Sequence, residues 1–380
     1  MNLFDYLEQV KNETIYDKDL TILDLLMFTE LSYINFDGVA DKNFDRYHAK
    51  RLDDCAEALT DLAPTPTIMG KEHLQLLQQM GQSLRFKSSK LMGYVNDIDS
   101  DIEKQFSATT FRIKPDTYIV AFRGTDDSII GWKEDFHMTY MPQIPAQLTA
   151  THYLEKALAE LPGTFYVTGH SKGGNLATFA TSHLSSENQE RIKLITSFDA
   201  PGLNKLIIET AGYQSISPKI ERYIPYGSIV GMMLEIPETA HIVQSTAIGG
   251  IAQHNPFSWK VENDSFLLAD GLNADSLQTD KTLKNWVAST PDDQLKQFFD
   301  LFFGLILDAN ITSITDFFQL DAPKKIITIL DNTKALDPNE KEMLIRLTKL
   351  LFSLRFESWK EESKLPKFPL PFTGEKEELS

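Results

Sequence analysis

The feature that most constrains the fold is the stretch FYVTGHSKGGNLATFA, residues 165–180. It passes from an apolar segment of strand type through Gly-His-Ser-Lys-Gly directly into a helical pattern of small residues. The five residues from Gly169 to Gly173 fit Gly-x-Ser-x-Gly, the nucleophile elbow, a sharp strand-to-helix turn that projects a serine hydroxyl above a sheet. Because the required strand and helix flank the motif, we predict that Ser171 is a nucleophile at the edge of a sheet.

Strand and helix patterns alternate over the first two thirds of the chain. Helical patterns in the first ninety residues are followed by strand patterns at KLMGYVND, QFSATTFRI, TYIVAFRGT, TFYVT, RIKLITSFD, ERYIPYGSIV and AHIVQSTAI, with helical patterns between several of them. This alternation predicts the α/β class, a mostly parallel central sheet flanked by helices. After about residue 265 only helical patterns follow, so we predict a catalytic domain at 1–265, including the N-terminal helices, and a helical extension or cap at 266–380.

A serine nucleophile needs a histidine to accept its proton and an acid to orient that histidine. In the chain order Ser, acid, His, only three of the eight histidines follow Ser171. His183 lies on the helix that leaves the elbow, and His241 begins an apolar strand pattern. His254 lies in the Gly- and Pro-containing loop GGIAQHNPFSW, from which an imidazole can reach back over the sheet edge, and it is our preferred base.

Asp199 is the preferred acid. It ends the strand pattern LITSFD and precedes Ala-Pro-Gly, a turn that would hold its carboxylate at the same sheet edge as Ser171. The alternative is that Asp199 only caps this turn through its own backbone. Glu235 and Glu238 are weaker candidates, because they lie beside a proline and do not end a strand.

Acyl transfer also needs two donors aimed at the developing oxyanion. One is expected to be the backbone N–H of Lys172, directly after the nucleophile. The other is expected from AFRGTDD, where a strand pattern ends at Gly124 and Thr125. No spacing typical of metal ligands or of a phosphate-binding glycine loop accompanies these residues, so we expect no metal and no cofactor.

Three segments together resemble the signature of class 3 lipases, which have the α/β-hydrolase fold: VAFRGT, then GWKEDF, then VTGHSKGGNLA. With a lysine after the serine, and with SFDAPG, SIVGMML and QHNPFSW, the chain is similar to a lipase-like branch of bacterial hydrolases over about residues 20–265. The resemblance implies that Thr125 supplies the second oxyanion donor, through its backbone N–H or also its hydroxyl. The chain departs from class 3 lipases where their acid would follow a later strand, because RYIPYGSIV offers Gly227 and Ser228 there.

These residues predict a serine hydrolase that cleaves lipid or small acyl esters through an acyl-enzyme. A thioesterase or acyltransferase would use the same groups. A binding module without activity, on a decayed hydrolase fold, is the alternative suggested by the missing class 3 acid. The charge of Lys172 also suggests a preference for anionic esters.

Charge and composition limit the partners and the location. A net charge of -17 argues against binding to nucleic acids or to anionic lipid surfaces. The single cysteine, Cys55, and an amino terminus without a basic leader or a long apolar run favour the cytoplasm, without stable membrane insertion. LPFTG, residues 370–374, has the form of a sortase signal but lacks the apolar stretch that should follow it, so we interpret it as a coincidence.

Two further segments allow two interpretations each. FHMTYMPQIPAQL is predicted to be either a mobile lid or a packed connection. FFDLFFGLIL is predicted to be plain core, with an acyl pocket as the alternative. The sequence does not indicate an oligomeric state.

Overall fold

The computed structural model describes residues 1–61, 69–99, 101–126, 128–313 and 322–362. The LPFTG segment lies outside these ranges. The division into units at residue 265 stays a prediction.

One sheet of eight strands forms the centre of the described chain, in the order β1-β2-β3-β4-β5-β6-β7-β8. The strands are β1 Lys50–Arg51, β2 Lys90–Asp99, β3 Lys104–Lys114, β4 Thr117–Phe122, β5 Thr164–His170, β6 Ile192–Phe198, β7 Ile220–Pro225 and β8 Ala240–Val243. The pairs from β1 to β4 are antiparallel and those from β4 to β8 are parallel. A separate hairpin pairs β9 Val261–Glu262 with β10 Ser265–Phe266.

The helices before β10 are α1 Leu3–Val10, α2 Ile22–Leu31, α3 Leu52–Ala58, α4 Gly70–Gln82, α5 Ile129–His137, α6 Pro145–Glu160, α7 Lys172–Ser182, α8 Ser186–Glu190, α9 Lys205–Ile208, α10 Ala211–Ile216 and α11 Gly250–Gln253. Short 3₁₀ segments occur at Ser217–Lys219, Val230–Met232 and Pro256–Ser258. Helices α1 to α4 pack on one face of the sheet, and α6 and α7 pack on the other.

Strand β4 shows why the sheet is covered on both faces. Ile119 and Ala121 point into the core beneath the N-terminal helices, whereas Tyr118, Val120 and Phe122 point into the core beneath α6 and α7. Successive side chains of a strand alternate between faces, and all five are fully buried. A continuous apolar strand pattern is the expected consequence of burial on both faces. The predicted α/β-hydrolase fold class is therefore confirmed, with a mostly parallel central sheet flanked by helices.

The described chain after β10 is helical, as predicted. It contains α12 Ala274–Ala288, α13 Asp292–Asp308, α14 Ala322–Ala335 and α15 Pro338–Glu362. Helix α15 begins after Asp337, which accepts hydrogen bonds from the N–H groups of Asn339 at 2.7 Å and Glu340 at 3.0 Å. The indole of Trp286 on α12 donates to the carbonyl of Leu347 on α15 at 3.0 Å.

None of the described helices is both long and apolar enough to cross a bilayer.

Candidate active site

Ser171 lies at the turn between β5 and α7 in a backbone conformation that side chains rarely adopt, with φ 57° and ψ −135°. The two glycines of the motif, Gly169 and Gly173, are needed because neighbouring backbone leaves no room for a Cβ atom. A Cβ on Gly169 would lie 2.0 Å from the carbonyl carbon of Gly173, and a Cβ on Gly173 would lie 2.1 Å from the carbonyl oxygen of Phe122. The Ser171 side chain does not cap α7, and its hydroxyl forms no hydrogen bond with another described residue. The turn thus has the geometry of a nucleophile elbow with a free hydroxyl.

His254 and Asp199 are joined by a hydrogen bond. Nδ1 of His254 lies 2.6 Å from Oδ2 of Asp199, which is fully buried. Since a carboxylate only accepts, Nδ1 carries the proton and Nε2 is left free to accept one. This is the tautomer that a general base requires. The structure brings these two predicted site residues together at the carboxyl edge of the sheet.

The other oxygen of Asp199 is also held. Oδ1 accepts hydrogen bonds from the hydroxyl of Ser228 at 2.5 Å and from the N–H of Gly231 at 3.0 Å. Asp199 itself has φ 41°, a left-handed backbone conformation that is uncommon for residues other than glycine. Ser228 follows β7 and Asp199 follows β6, so the loop after the neighbouring strand donates to this acid.

The other candidate residues have different surroundings. His183 stacks on Phe179, and His241 stacks on Tyr223 at 4.8 Å between ring centroids. Glu235 pairs with Leu203 through backbone hydrogen bonds, and Glu238 accepts from the hydroxyl of Tyr213.

His170, the residue before Ser171, contacts His254 directly. Their ring centroids are 4.5 Å apart, and Nε2 of His170 lies 2.9 Å from the carbonyl oxygen of His254. Because a carbonyl only accepts, Nε2 of His170 is the donor, and Nδ1 then accepts from the hydroxyl of Tyr33 at 3.0 Å. Burial lowers the pKa of His170 well below its ordinary value, and nearby His254 lowers it further. A neutral, fixed imidazole therefore links the elbow to the loop that carries His254.

A buried acid lies behind His170. Oε2 of Glu30 on α2 lies 2.8 Å from Nε2 of His73, whose ring stacks on Tyr33. Oε1 of Glu30 lies 3.6 Å from Nδ1 of His170 and has no hydrogen-bond partner among the described residues. Residues from the N-terminal helical region thus pack against His170, directly before the elbow serine.

The predicted oxyanion donors lie beside Ser171. A Cβ on Gly124 would lie 2.9 Å from the Cβ of Ser171, so the end of β4 approaches the nucleophile closely. The backbone N–H of Lys172 is in the first turn of α7, where N–H groups have no acceptor within the helix. The hydroxyl of Thr125 lies 2.5 Å from Oδ2 of Asp135, which leaves its backbone N–H as the group available for an oxyanion. Burial raises the pKa of Asp135 to about 6, and the charge of Lys172 opposes that rise.

The side chain of Lys172 is fully buried. Its ammonium lies 2.8 Å from Oε2 of Glu134 on α5, and it donates to the backbone and side-chain oxygens of Gln105 at 3.1 and 3.2 Å. The charge is therefore neutralised beneath the site and does not face a substrate. This removes the basis for the expected preference for anionic esters.

The segment interpreted as a lid or a connection is packed in this structure. Met138 and Ile144 are buried, and Phe136 lies against Phe299 of α13 with 4.8 Å between ring centroids. The Phe-rich part of α13 thus forms a core with α5, as the sequence predicted.

One described cluster has metal-ligand chemistry. Oxygen and nitrogen atoms of Glu103, His137 and Asp300 lie within 4.8 Å of one another. The ammonium of Lys133 lies 2.6 Å from Glu103 and 2.7 Å from Asp300, so a side-chain cation already bridges the two acids. The cluster ties α5 to α13 and does not fit a metal ion well.

Comparison with known sequences places this site in a family. The sequence profile of the Mbeg1-like family matches residues 80–304, more than half of the 380 residues. The chain belongs to the Mbeg1-like family. The matched range includes the elbow, Asp199, His254 and helix α12.

Several solved lipases share part of the architecture of this Mbeg1-like chain. M37 lipase is 16% identical with a TM-score of 0.32, and the match covers 55% of this chain and 68% of that one. The lipase of Rhizopus microsporus var. chinensis is 16% identical with a TM-score of 0.34, and the match covers 58% of this chain and 71% of that one. Rhizomucor miehei lipase, in its propeptide complex, is 16% identical with a TM-score of 0.33, and the match covers 62% of this chain and 77% of that one. No curated protein matches the sequence significantly. Similarity this low says nothing about activity.

The sequence did not identify four residues of this candidate site: His170, Ser228, Glu134 and Asp135. One signal was available for the acids. A lysine directly after the nucleophile starts a helix packed on the sheet, and a buried cation needs a buried anion. The segment GWKEDF supplies two acids, but only the fold shows that Glu134 and Asp135 reach the elbow.

Proposed function

We propose that this chain is a serine hydrolase of carboxylic esters that acts through an acyl-enzyme on Ser171. The observation that carries the proposal is the 2.6 Å contact between His254 Nδ1 and Asp199 Oδ2 beside a strained elbow serine. A serine projected from a strand-to-helix turn and a histidine oriented by an acid are the groups that nucleophilic catalysis by serine requires.

The proposed reaction begins with attack of the Ser171 hydroxyl on the ester carbonyl, while Nε2 of His254 takes the hydroxyl proton. Asp199 keeps Nδ1 protonated and stabilises the imidazolium. The backbone N–H groups of Thr125 and Lys172 donate to the oxyanion. His254 then returns the proton to the leaving alcohol, and water, activated by the same histidine, releases the acid. These steps use no metal ion or cofactor.

The proposed substrates are lipid or small acyl esters, and the resemblance to class 3 lipases supports this class. A cytoplasmic location is proposed on the sequence features alone. The same acyl-enzyme could be resolved by an alcohol or formed from a thioester. Product analysis with and without added alcohol distinguishes hydrolysis from acyl transfer.

The test combines a covalent probe with kinetics. A fluorophosphonate should label the wild type and fail to label Ser171→Ala. On p-nitrophenyl esters, Ser171→Ala, His254→Ala and Asp199→Asn should each lose activity, by on the order of 10⁴-fold or more for a working triad. Absence of labelling and of turnover in a folded wild type would instead favour a binding module without activity.

A further inference from the structure

A cavity of about 400 Å³ lies between α12 and the loops that follow β6 and β7. Its volume falls in the usual range of small-molecule sites, roughly 300–1,000 Å³. Apolar side chains from both sides form much of its wall: Leu203, Ile229 and Met233 from the loops, and Leu283, Val287 and Ala288 from α12. The lining is suited to an aliphatic group.

The charged residues of the lining are balanced. Lys205 and Lys284 are matched by Glu235 and Asp280. Lys284 lies 3.0 Å from Asp280, and Lys205 lies 3.8 Å from Glu209. Since each of the two lining cations has an anionic neighbour, the cavity offers no unpaired cation to an anionic group, and an uncharged apolar chain fits it better.

The cavity wall is continuous with the loop that holds the proposed acid. Ile229 lies between Ser228 and Gly231, which both donate to Oδ1 of Asp199. The end of the Ile229 side chain also lies 2.6 Å from the place of a Cβ on Gly250, at the start of the helix before His254. One residue of the wall therefore borders both the acid loop and the histidine helix.

A second wall segment is attached to the helix that follows the nucleophile. Asn175 on α7 donates to the carbonyl of Gly202 at 2.5 Å, directly before Leu203 of the cavity wall. The cavity wall is thus joined to the loop that binds Asp199, to the helix before His254 and to the helix after Ser171.

We propose that this cavity binds the aliphatic acyl chain of the ester whose carbonyl reacts at Ser171, so that α12 sets the preference for chain length. The inference rests on the proposed function for the role of Ser171. Each methylene that enters the cavity is expected to raise kcat/KM by up to about fourfold, until the space is filled.

The kinetic test compares p-nitrophenyl acetate with p-nitrophenyl octanoate. In the wild type the octanoate should have the higher kcat/KM. Leu283→Trp and, as an independent variant, Val287→Trp should each lower the octanoate-to-acetate ratio at least tenfold by filling the cavity. Leu277→Trp is the matched control, because Leu277 lies on the same helix, is 47% exposed and does not line the cavity. If Leu283→Trp and Val287→Trp both keep the octanoate-to-acetate ratio of the wild type, the proposal is overturned.

A binding test separates this inference from the proposed function. A fluorescent fatty acid is titrated into Ser171→Ala, and into Ser171→Ala combined with each tryptophan variant. Binding that is lost with Leu283→Trp and Val287→Trp but kept with Leu277→Trp supports the cavity even if the wild type cleaves no ester. Equal binding by all variants refutes the cavity as the chain site even if the wild type is an active esterase.

Discussion

Nε2 of His170 donates a hydrogen bond to the carbonyl oxygen of His254 at 2.9 Å. The contact joins the residue before the proposed nucleophile to the backbone of the proposed base. Tyr33 fixes the opposite nitrogen of the same ring, so the imidazole cannot turn without losing a second hydrogen bond. His170 is therefore a positioning residue that sets the distance between elbow and histidine loop.

We expect His170→Phe to lower kcat about fivefold with little change in KM, because one neutral hydrogen bond is worth about 1 kcal/mol. The rate of fluorophosphonate labelling of Ser171 should fall in parallel. His241→Phe, at a stacked ring on β8, is the control. A folded His170→Phe protein that is labelled at the wild-type rate would show that the contact does not position His254.

The buried pair of Lys172 and Glu134 gives a prediction about stability. Both side chains are inaccessible to solvent, and the ammonium lies 2.8 Å from the carboxylate. Lys172→Met leaves a buried acid without its cation, so the free energy of unfolding should fall by about 3–5 kcal/mol. Adding Glu134→Gln should recover much of this loss, because the unpaired charge is removed. Urea unfolding of the two single variants and the double variant measures the coupling, and strictly additive losses would contradict it.

Asp135 should make stability depend on pH. Its pKa is about 6 in the folded chain and 3.8 as the ordinary value, so the folded state binds more protons in this window. The contribution of Asp135 to the free energy of unfolding is therefore fully present below pH 3.8. It falls by about 3 kcal/mol in total as the pH rises to about 6. Asp135→Asn removes this dependence.

The measurement for Asp135 is denaturant unfolding of wild type and Asp135→Asn across this range of pH. The stability of the wild type relative to the variant should decline up to about pH 6 and then stay level. Other titrating groups are common to both proteins, so they cancel in the difference. A difference that does not change with pH would refute the buried, proton-retaining carboxyl.

Much of this architecture could be predicted because its signals are local. The continuous apolar run of β4 and the strand-Gly-x-Ser-x-Gly-helix order each lie within a few neighbouring residues. The positions of Asp199 and His254 follow from a further rule, that loops after parallel strands meet at one sheet edge. Their mutual hydrogen bond is found in the structure, while their catalytic roles and those of Thr125 and Lys172 stay predictions.

The contacts that the sequence did not predict join residues that are far apart along the chain, so no local pattern indicates them. Tyr33 and His170 are 137 residues apart, and Lys172 and Glu134 are 38 apart. The sequence did not distinguish a lid from a packed connection at FHMTYMPQIPAQL, whereas it favoured core over an acyl pocket for the Phe-rich helix. In the structure the Phe-rich helix packs on α5, and the apolar cavity lies along α12 instead.

The hydrogen bond from Ser228 to Asp199 predicts that a carboxylate at position 228 can replace that of Asp199. Oγ of Ser228 lies 2.5 Å from Oδ1 of Asp199, so a carboxylate at position 228 would reach the space that the Asp199 side chain leaves when it is shortened. Asp199→Ala alone should lose activity by on the order of 10⁴-fold, because His254 loses the group that fixes its tautomer. We expect Asp199→Ala with Ser228→Asp to recover at least tenfold of this loss in kcat/KM. The matched control is Asp199→Ala with Ser228→Asn, which has nearly the same shape without the charge. Equal activity of the aspartate and asparagine double variants would mean that a carboxylate at position 228 cannot replace Asp199 as the partner of His254.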